Sequence, residues 1–121
     1  EDSNIVNTCE DTIRMMRETG KKNVKTMFDT HHVIVMGEVM SDYVHLMGKD
    51  LVHIHLSDND RLPPGQGIGD FPGLIDALRE TGFDGYLSME CGWTKRGLSP
   101  DWVARTSLEY TKPLVDAANA R

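Results

Sequence analysis

The chain has 121 residues, 39% of them hydrophobic and 26% charged, the make-up of one globular domain large enough to bury a core. Against 19 acidic side chains there are 13 basic ones, and the resulting formal charge of −6 argues against a binder of nucleic-acid backbone. No apolar run approaches the roughly 20 residues that cross a bilayer, which argues against a membrane partner, and no signal peptide opens the sequence.

Hydrophobic spacing divides the chain into alternating helices and strands. Ser3 to Thr19 reads as an amphipathic helix, with Ile5, Cys9, Ile13 and Met16 on one face and Gly20 as its stop. Val24 to Phe28 follows as a short strand ending at Asp29, and after an apolar stretch a second helix is expected from Glu38 to Met47, burying Val39, Tyr43, Val44 and Met47. Leu51 to Leu56 alternates as a strand should, with Val52, Ile54 and Leu56 on one face and His53 and His55 on the other. A polar loop carrying Asp58, Asp60 and Arg61 leads through Pro63-Pro64-Gly65 to Asp70, a good N-cap for a helix with Phe71, Leu74, Ile75 and Leu78 at helical spacing. Tyr86 to Met89 is the last strand and ends in Glu90. Ser99-Pro100-Asp101 then opens a final helix to about Ala118, with a kink or break expected near Pro113.

Helices and strands alternating at this spacing predict parallel strands joined by helical crossovers, an α/β architecture. Each strand ends in a group able to bind a metal or polar ligand: Asp29 with His32, then His55, then Glu90. Parallel strands place their ends side by side, so these groups should converge where α/β proteins bind ligands. One imidazole and two carboxylates without thiolate suit a divalent cofactor such as Mn²⁺, Mg²⁺ or Co²⁺, with Zn²⁺ an alternative. Cys9 and Cys91, far apart in sequence, read as reduced packing residues of a cytoplasmic protein. The seven methionines read as core filler.

The set Asp29-Thr30-His31-His32, His53-Ile54-His55, Arg61-Leu62-Pro63-Pro64-Gly65, Gly82-Phe83-Asp84-Gly85 and Met89-Glu90 resembles the xylose-isomerase-like TIM-barrel superfamily, and within it the ketose 3-epimerases of the D-tagatose 3-epimerase type. The resemblance implies that Asp29, His55 and Glu90 are metal ligands, with manganese favoured. It further implies that His32 and Arg61 hold oxygens of a small sugar substrate, that Glu90 doubles as a catalytic acid/base, and that Glu1 contacts substrate. A complete barrel has eight strands and typically about 250 residues. The present sequence supplies three strands and is expected to be the C-terminal portion, about three β/α units, of such a (β/α)₈ barrel. The family's fourth metal ligand, a glutamate that is also the partner acid/base, would lie upstream of Glu1. The expectation is therefore a piece of a longer chain, inactive alone, or a chain that associates with a second copy as a homo-oligomer.

Other residues are expected to play lesser parts. His53 is read as an interior layer residue making a hydrogen bond, His31 and His45 as structural or solvated, and Asp58 and Asp60 as acids making turn hydrogen bonds. Gly65, Gly67 and Gly69 read as a rigid turn over the site rather than a phosphate cradle. Trp93 and Arg96 are candidates for the substrate mouth. Rival readings are an inosose-type dehydratase, a hydroxypyruvate-type isomerase, a degenerate sugar-binding barrel and a type IV apurinic endonuclease. The last needs an Asp-x-His pair where Asp60-Arg61-Leu62-Pro63 stands, and the net charge opposes it.

Overall fold

The computed structural model describes residues 5–121. Among the described residues five α-helices accompany a three-stranded sheet: α1 (Cys9–Glu18), β1 (Thr26–Asp29), α2 (Thr30–Val35), α3 (Met40–Met47), β2 (Leu51–Leu56), α4 (Phe71–Thr81), β3 (Tyr86–Met89) and α5 (Pro100–Asn119). The strands are parallel and lie in the order β1-β2-β3, each joined to the next by a helical crossover. All three C-terminal ends therefore face the same way.

One face of the sheet is packed and the other open. Phe28, Ile54 and Leu56 point to the helices, where they meet Val44 and Met47 of α3, Phe71, Leu74 and Leu78 of α4, and Ala118 of α5. On the opposite face, register places Met27, His53 and Tyr86 in one row and Asp29, His55 and Ser88 in the next. Met27 is 41% and Tyr86 77% exposed, so this row faces no covering layer among the described residues, and the outer edges of β1 and β3 carry no paired strand there. No described helix is long and apolar enough to cross a membrane.

Local signals explain the boundaries, including those that differ from expectation. Helix α1 starts at Cys9 rather than Ser3, because the Thr8 hydroxyl takes the Asp11 N–H at 3.1 Å and caps it there; Ile5 is consequently exposed. The Asp29 carboxylate takes the His31 N–H at 2.8 Å and starts α2 where only an apolar stretch was expected. Helix α3 begins two residues later than Glu38, which leaves Val39 exposed at the cap and puts Met40 in the core. In β2 the pairing slips between Thr26 and Met27 of its neighbour, so that Val52 is an extra residue. The slip breaks the alternation, burying Leu51 and exposing Val52. Helix α5 continues through Pro113, so of the kink or break expected there no break occurs. Met40 and Met47 fill the core, whereas Met15, Met27 and Met36 are exposed, so only part of the methionine set is filler.

Cys9 and Cys91 are free thiols. Burial of Cys9, reinforced by the charges of Glu38, Glu10 and Asp42, pushes its thiol up to about 11 from 9.0. At pH 8 its thiolate fraction falls about 100-fold below that of an unfolded cysteine, so alkylation by iodoacetamide followed by peptide mapping should show Cys9 protected until the chain unfolds. Because the folded value is the higher one, this thiol disfavours the fold only as pH rises from about 9 through about 11, where the unfolded chain ionises first.

Candidate metal centre

Asp29 closes β1, His55 lies one residue from the end of β2, and Glu90 immediately follows β3, its N–H bound to Leu56 O at 2.9 Å. Register sets Asp29 beside His55 and His55 beside Ser88, two residues before Glu90. One ligand atom from each of Asp29, His55 and Glu90 falls within 4.8 Å of the others. Ligands about 2.1 Å from an octahedral ion stand about 3 Å apart when adjacent. His55 Nδ1 and Glu90 Oε2 are hydrogen-bonded at 2.9 Å, a separation that also equals the spacing of adjacent ligands. The two carboxylates and one imidazole thus fit a hard to borderline divalent ion.

Burial would raise the Asp29 carboxyl, but its side-chain interaction with Glu90, the hydrogen bond and charge of the Arg61 guanidinium and the His31 N–H hold it below its ordinary value. Asp29 is tied at Oδ1 by His31, leaving Oδ2 to face the centre. Arg61 reaches in from the loop after β2. Its Nη1 donates to Asp29 Oδ2, to Glu90 Oε2 at 3.1 Å and to Ser57 Oγ at 3.4 Å, while Nη2 lies 3.1 Å from His32 Nε2.

Two residues given no part or a lesser part by sequence reasoning build this geometry. Thr30 is fully buried; its hydroxyl donates to Ser57 O at 2.6 Å and accepts from Ser57 N at 2.9 Å, pinning the end of β2 to the start of α2. Asp58, also fully buried, has a larger role than a turn acid. Its carboxylate accepts the N–H groups of Asn59, Gly65, Gly67 and Gly69 at 2.9–3.0 Å. The glycine N–H groups that could cradle a phosphate are thus turned onto the chain's own carboxylate. At Gly65 φ is +84°, and a Cβ would sit 2.5 Å from the Tyr110 ring, so only glycine fits there. Inside this loop Asp60 and Arg61 both hold left-handed conformations, at φ 58° and 60°, uncommon for residues other than glycine. They are held by Asp58 N to Leu62 O and Gly92 N to Arg61 O, both 2.8 Å, and by the Asp60–Arg96 ion pair at 3.0 Å. The available signal was three alternate glycines downstream of a lone acid at a strand end.

Beside the centre lies an open cleft of about 800 Å³ lined by His31, Asp60, Arg61, Cys91, Gly92, Trp93, Thr94 and Arg96. Trp93 and Arg96, the candidates for a substrate mouth, both line this cleft. His31, read as structural or solvated, sits on α2 and lines the cleft, with Nδ1 3.3 Å from Asp58 O. His53 packs its ring edge-on to His55, centroids 5.1 Å apart, and shows no hydrogen bond among the described residues. His45 pairs at the surface with Glu80 at 3.3 Å. Glu1 lies outside the described residues.

Residues 1–114 match the family model described as xylose isomerase-like TIM barrel. The chain belongs to that family. It is similar to D-psicose 3-epimerase of Enterocloster bolteae, with 37% identity over 71% of this chain and 29% of the relative. It is also similar to inosose isomerase of Bacillus velezensis, with 32% identity over 95% of this chain and 43% of the relative. Among solved structures, L-ribulose 3-epimerase superposes with a TM-score of 0.85 over 98% of this chain and 45% of that one, at 19% identity, a likeness of fold. IolI protein with a binding zinc atom does so with a TM-score of 0.74 over 93% and 45%, at 26% identity. The chain spans less than half the length of each of these four proteins, and its three parallel strands are part of the full family fold.

Proposed function

We propose that this chain is the C-terminal portion of a metal-dependent enzyme that epimerises or isomerises a ketose by moving a proton next to the carbonyl. The observation that carries the reading is the convergence of Asp29, His55 and Glu90 within 4.8 Å at the C-terminal ends of three parallel strands. The three side chains would hold the cation, Mn²⁺ by preference. Bound there, it would supply positive charge against the sugar oxygen that becomes negative as the C–H proton leaves.

The chain's own residues do the rest. Glu90 takes the C–H proton onto a carboxylate oxygen as the electron pair moves into the carbonyl, and returns it in the reverse direction. Arg61 and His32, 3.1 Å from each other, hold hydroxyl or carbonyl oxygens of the sugar and fix which carbon meets Glu90. Glu1 is assigned a substrate contact from the resemblance alone. Inversion needs a second acid on the opposite face, which the reading assigns to a strand upstream of Glu1. The isolated chain is therefore inactive. The open row of Met27, His53 and Tyr86 is where the remaining strands, or a second copy in a homo-oligomer, would pack. The substrate is a small sugar, with no nucleic-acid or membrane partner, and the free thiols fit a cytoplasmic enzyme of carbohydrate metabolism.

Proton NMR in D₂O tests this directly. With Mn²⁺ or Mg²⁺ at micromolar enzyme, the barrel-length protein should exchange the C3 proton of a ketose such as D-fructose and accumulate its epimer, while the 121-residue chain alone shows neither. Exchange by the isolated chain, or none by the longer protein across a ketose panel, would refute the reading. The second reading, an inosose isomerase or dehydratase, is favoured by the match over 95% of the chain. It predicts turnover of a keto-inositol in the same assay.

A further inference from the structure

Arg61 stands in an unusual place for a residue whose task is to hold substrate. Its Nη1 contacts a carboxylate oxygen of both Asp29 and Glu90, two of the three groups that would ligate the cation. These oxygens cannot be given wholly to the guanidinium and to a divalent ion at once. A guanidinium within 4 Å of both carboxylates also repels an entering cation, and partial burial of the set strengthens that repulsion. The left-handed backbone at Asp60 and Arg61 is clamped on both sides, by Leu62 O on Asp58 N and by Arg61 O on Gly92 N, so the side chain is delivered to this spot by the loop. Its stem has several rotatable bonds, and a second partner, His32, lies 3.1 Å from Nη2, the nitrogen that does not meet the carboxylates.

We propose that Arg61 is a built-in counter-ion for the Asp29–Glu90 pair that competes with the divalent cation, and that metal entry draws its guanidinium off the two carboxylates while Nη2 keeps its place beside His32, where a sugar oxygen can be met. This rests on the metal reading of the site and adds an order to it: the cation binds first, and its binding frees the residue that receives the sugar. The competition also keeps the two carboxylates compensated when no ion is held, which spares the fold a pair of like charges.

Two measurements test the proposal. Calorimetric titration with MnCl₂ should show Arg61→Gln binding at least tenfold more tightly than the unmutated chain, with Arg61→Lys between them, because lysine keeps the positive charge but has no second nitrogen to stay on His32 while the first meets both carboxylates. In EDTA, Arg61→Gln should melt below the unmutated chain, and saturating Mn²⁺ should narrow that gap. Equal or weaker Mn²⁺ binding by a folded Arg61→Gln, with binding by the unmutated chain intact, overturns the competition while leaving the metal reading standing. Failure of both proteins to bind overturns both. The second measurement needs no variant: nitrogen-15 NMR of the arginine side chains should show one guanidinium with hindered rotation in EDTA that is released on adding Mg²⁺. A resonance unmoved at saturating Mg²⁺ overturns the displacement.

Discussion

Replacing Asp58 with alanine should destabilise the chain by about 3–5 kcal/mol, measured as the change in urea unfolding free energy. The carboxylate is fully buried and accepts four backbone N–H groups, so its removal strips four charge-assisted bonds from one loop and leaves their donors to whatever water can enter. Each such bond is worth more than a neutral one, and the total falls below their simple sum because the loop can open toward solvent. Asp58→Asn keeps one acceptor oxygen but turns an amide NH₂ toward two N–H groups, and about half the loss is expected. Asp58 N–H is also bonded to Leu62 O, so the variants should loosen the segment that delivers Arg61 and weaken sugar binding as well. A loss under 1 kcal/mol for Asp58→Ala would show that the glycine loop is held by something else.

The second large effect is on the centre. Asp29→Asn is expected to lower Mn²⁺ affinity at least 100-fold while leaving the fold intact, since asparagine still caps α2 through the His31 N–H. Glu90→Gln should do the same to the metal and also cut turnover of the barrel-length enzyme by at least about 10³-fold, because acid/base catalysis alone is worth 10²–10⁴. His45→Ala provides the contrast: it lies at the surface paired with Glu80, and both quantities should stay within about twofold. Calorimetry and a coupled sugar assay read the two effects. If Glu90→Gln retains most of its turnover, the acid/base role assigned to Glu90 is wrong.

Why some of this was legible from the chain and some not follows from where the information sits. The strand Leu51–Leu56 and the helix opening after Asp70 appear in the structure where expected, since strand alternation and a capping acid are local signals. The nearness of Asp29, His55 and Glu90 was also legible, because parallel strands leave their ends little choice of place. Helix α2 was not, because Asp29 is both a strand-end acid and an N-cap, and periodicity in a six-residue helix is too short to read. The exposure of Val52 depends on a slip in pairing with β1, a contact between segments distant in sequence. Asp58 was underrated for a like reason: its four partners reach eleven residues ahead and meet only when the loop closes. Arg61 was read for its chemistry, whereas its position between two acids is a property of the folded loop.

The account turns on one ion held jointly by three strand ends. Crystals grown with MnCl₂ and measured on both sides of the manganese absorption edge test it most directly. The account predicts one anomalous peak about 2.1–2.3 Å from an oxygen of Asp29, a ring nitrogen of His55 and an oxygen of Glu90, with the Arg61 guanidinium moved off Asp29. A manganese peak elsewhere on the chain, or an Arg61 still bridging the two carboxylates at saturating metal with no peak between them, would contradict it.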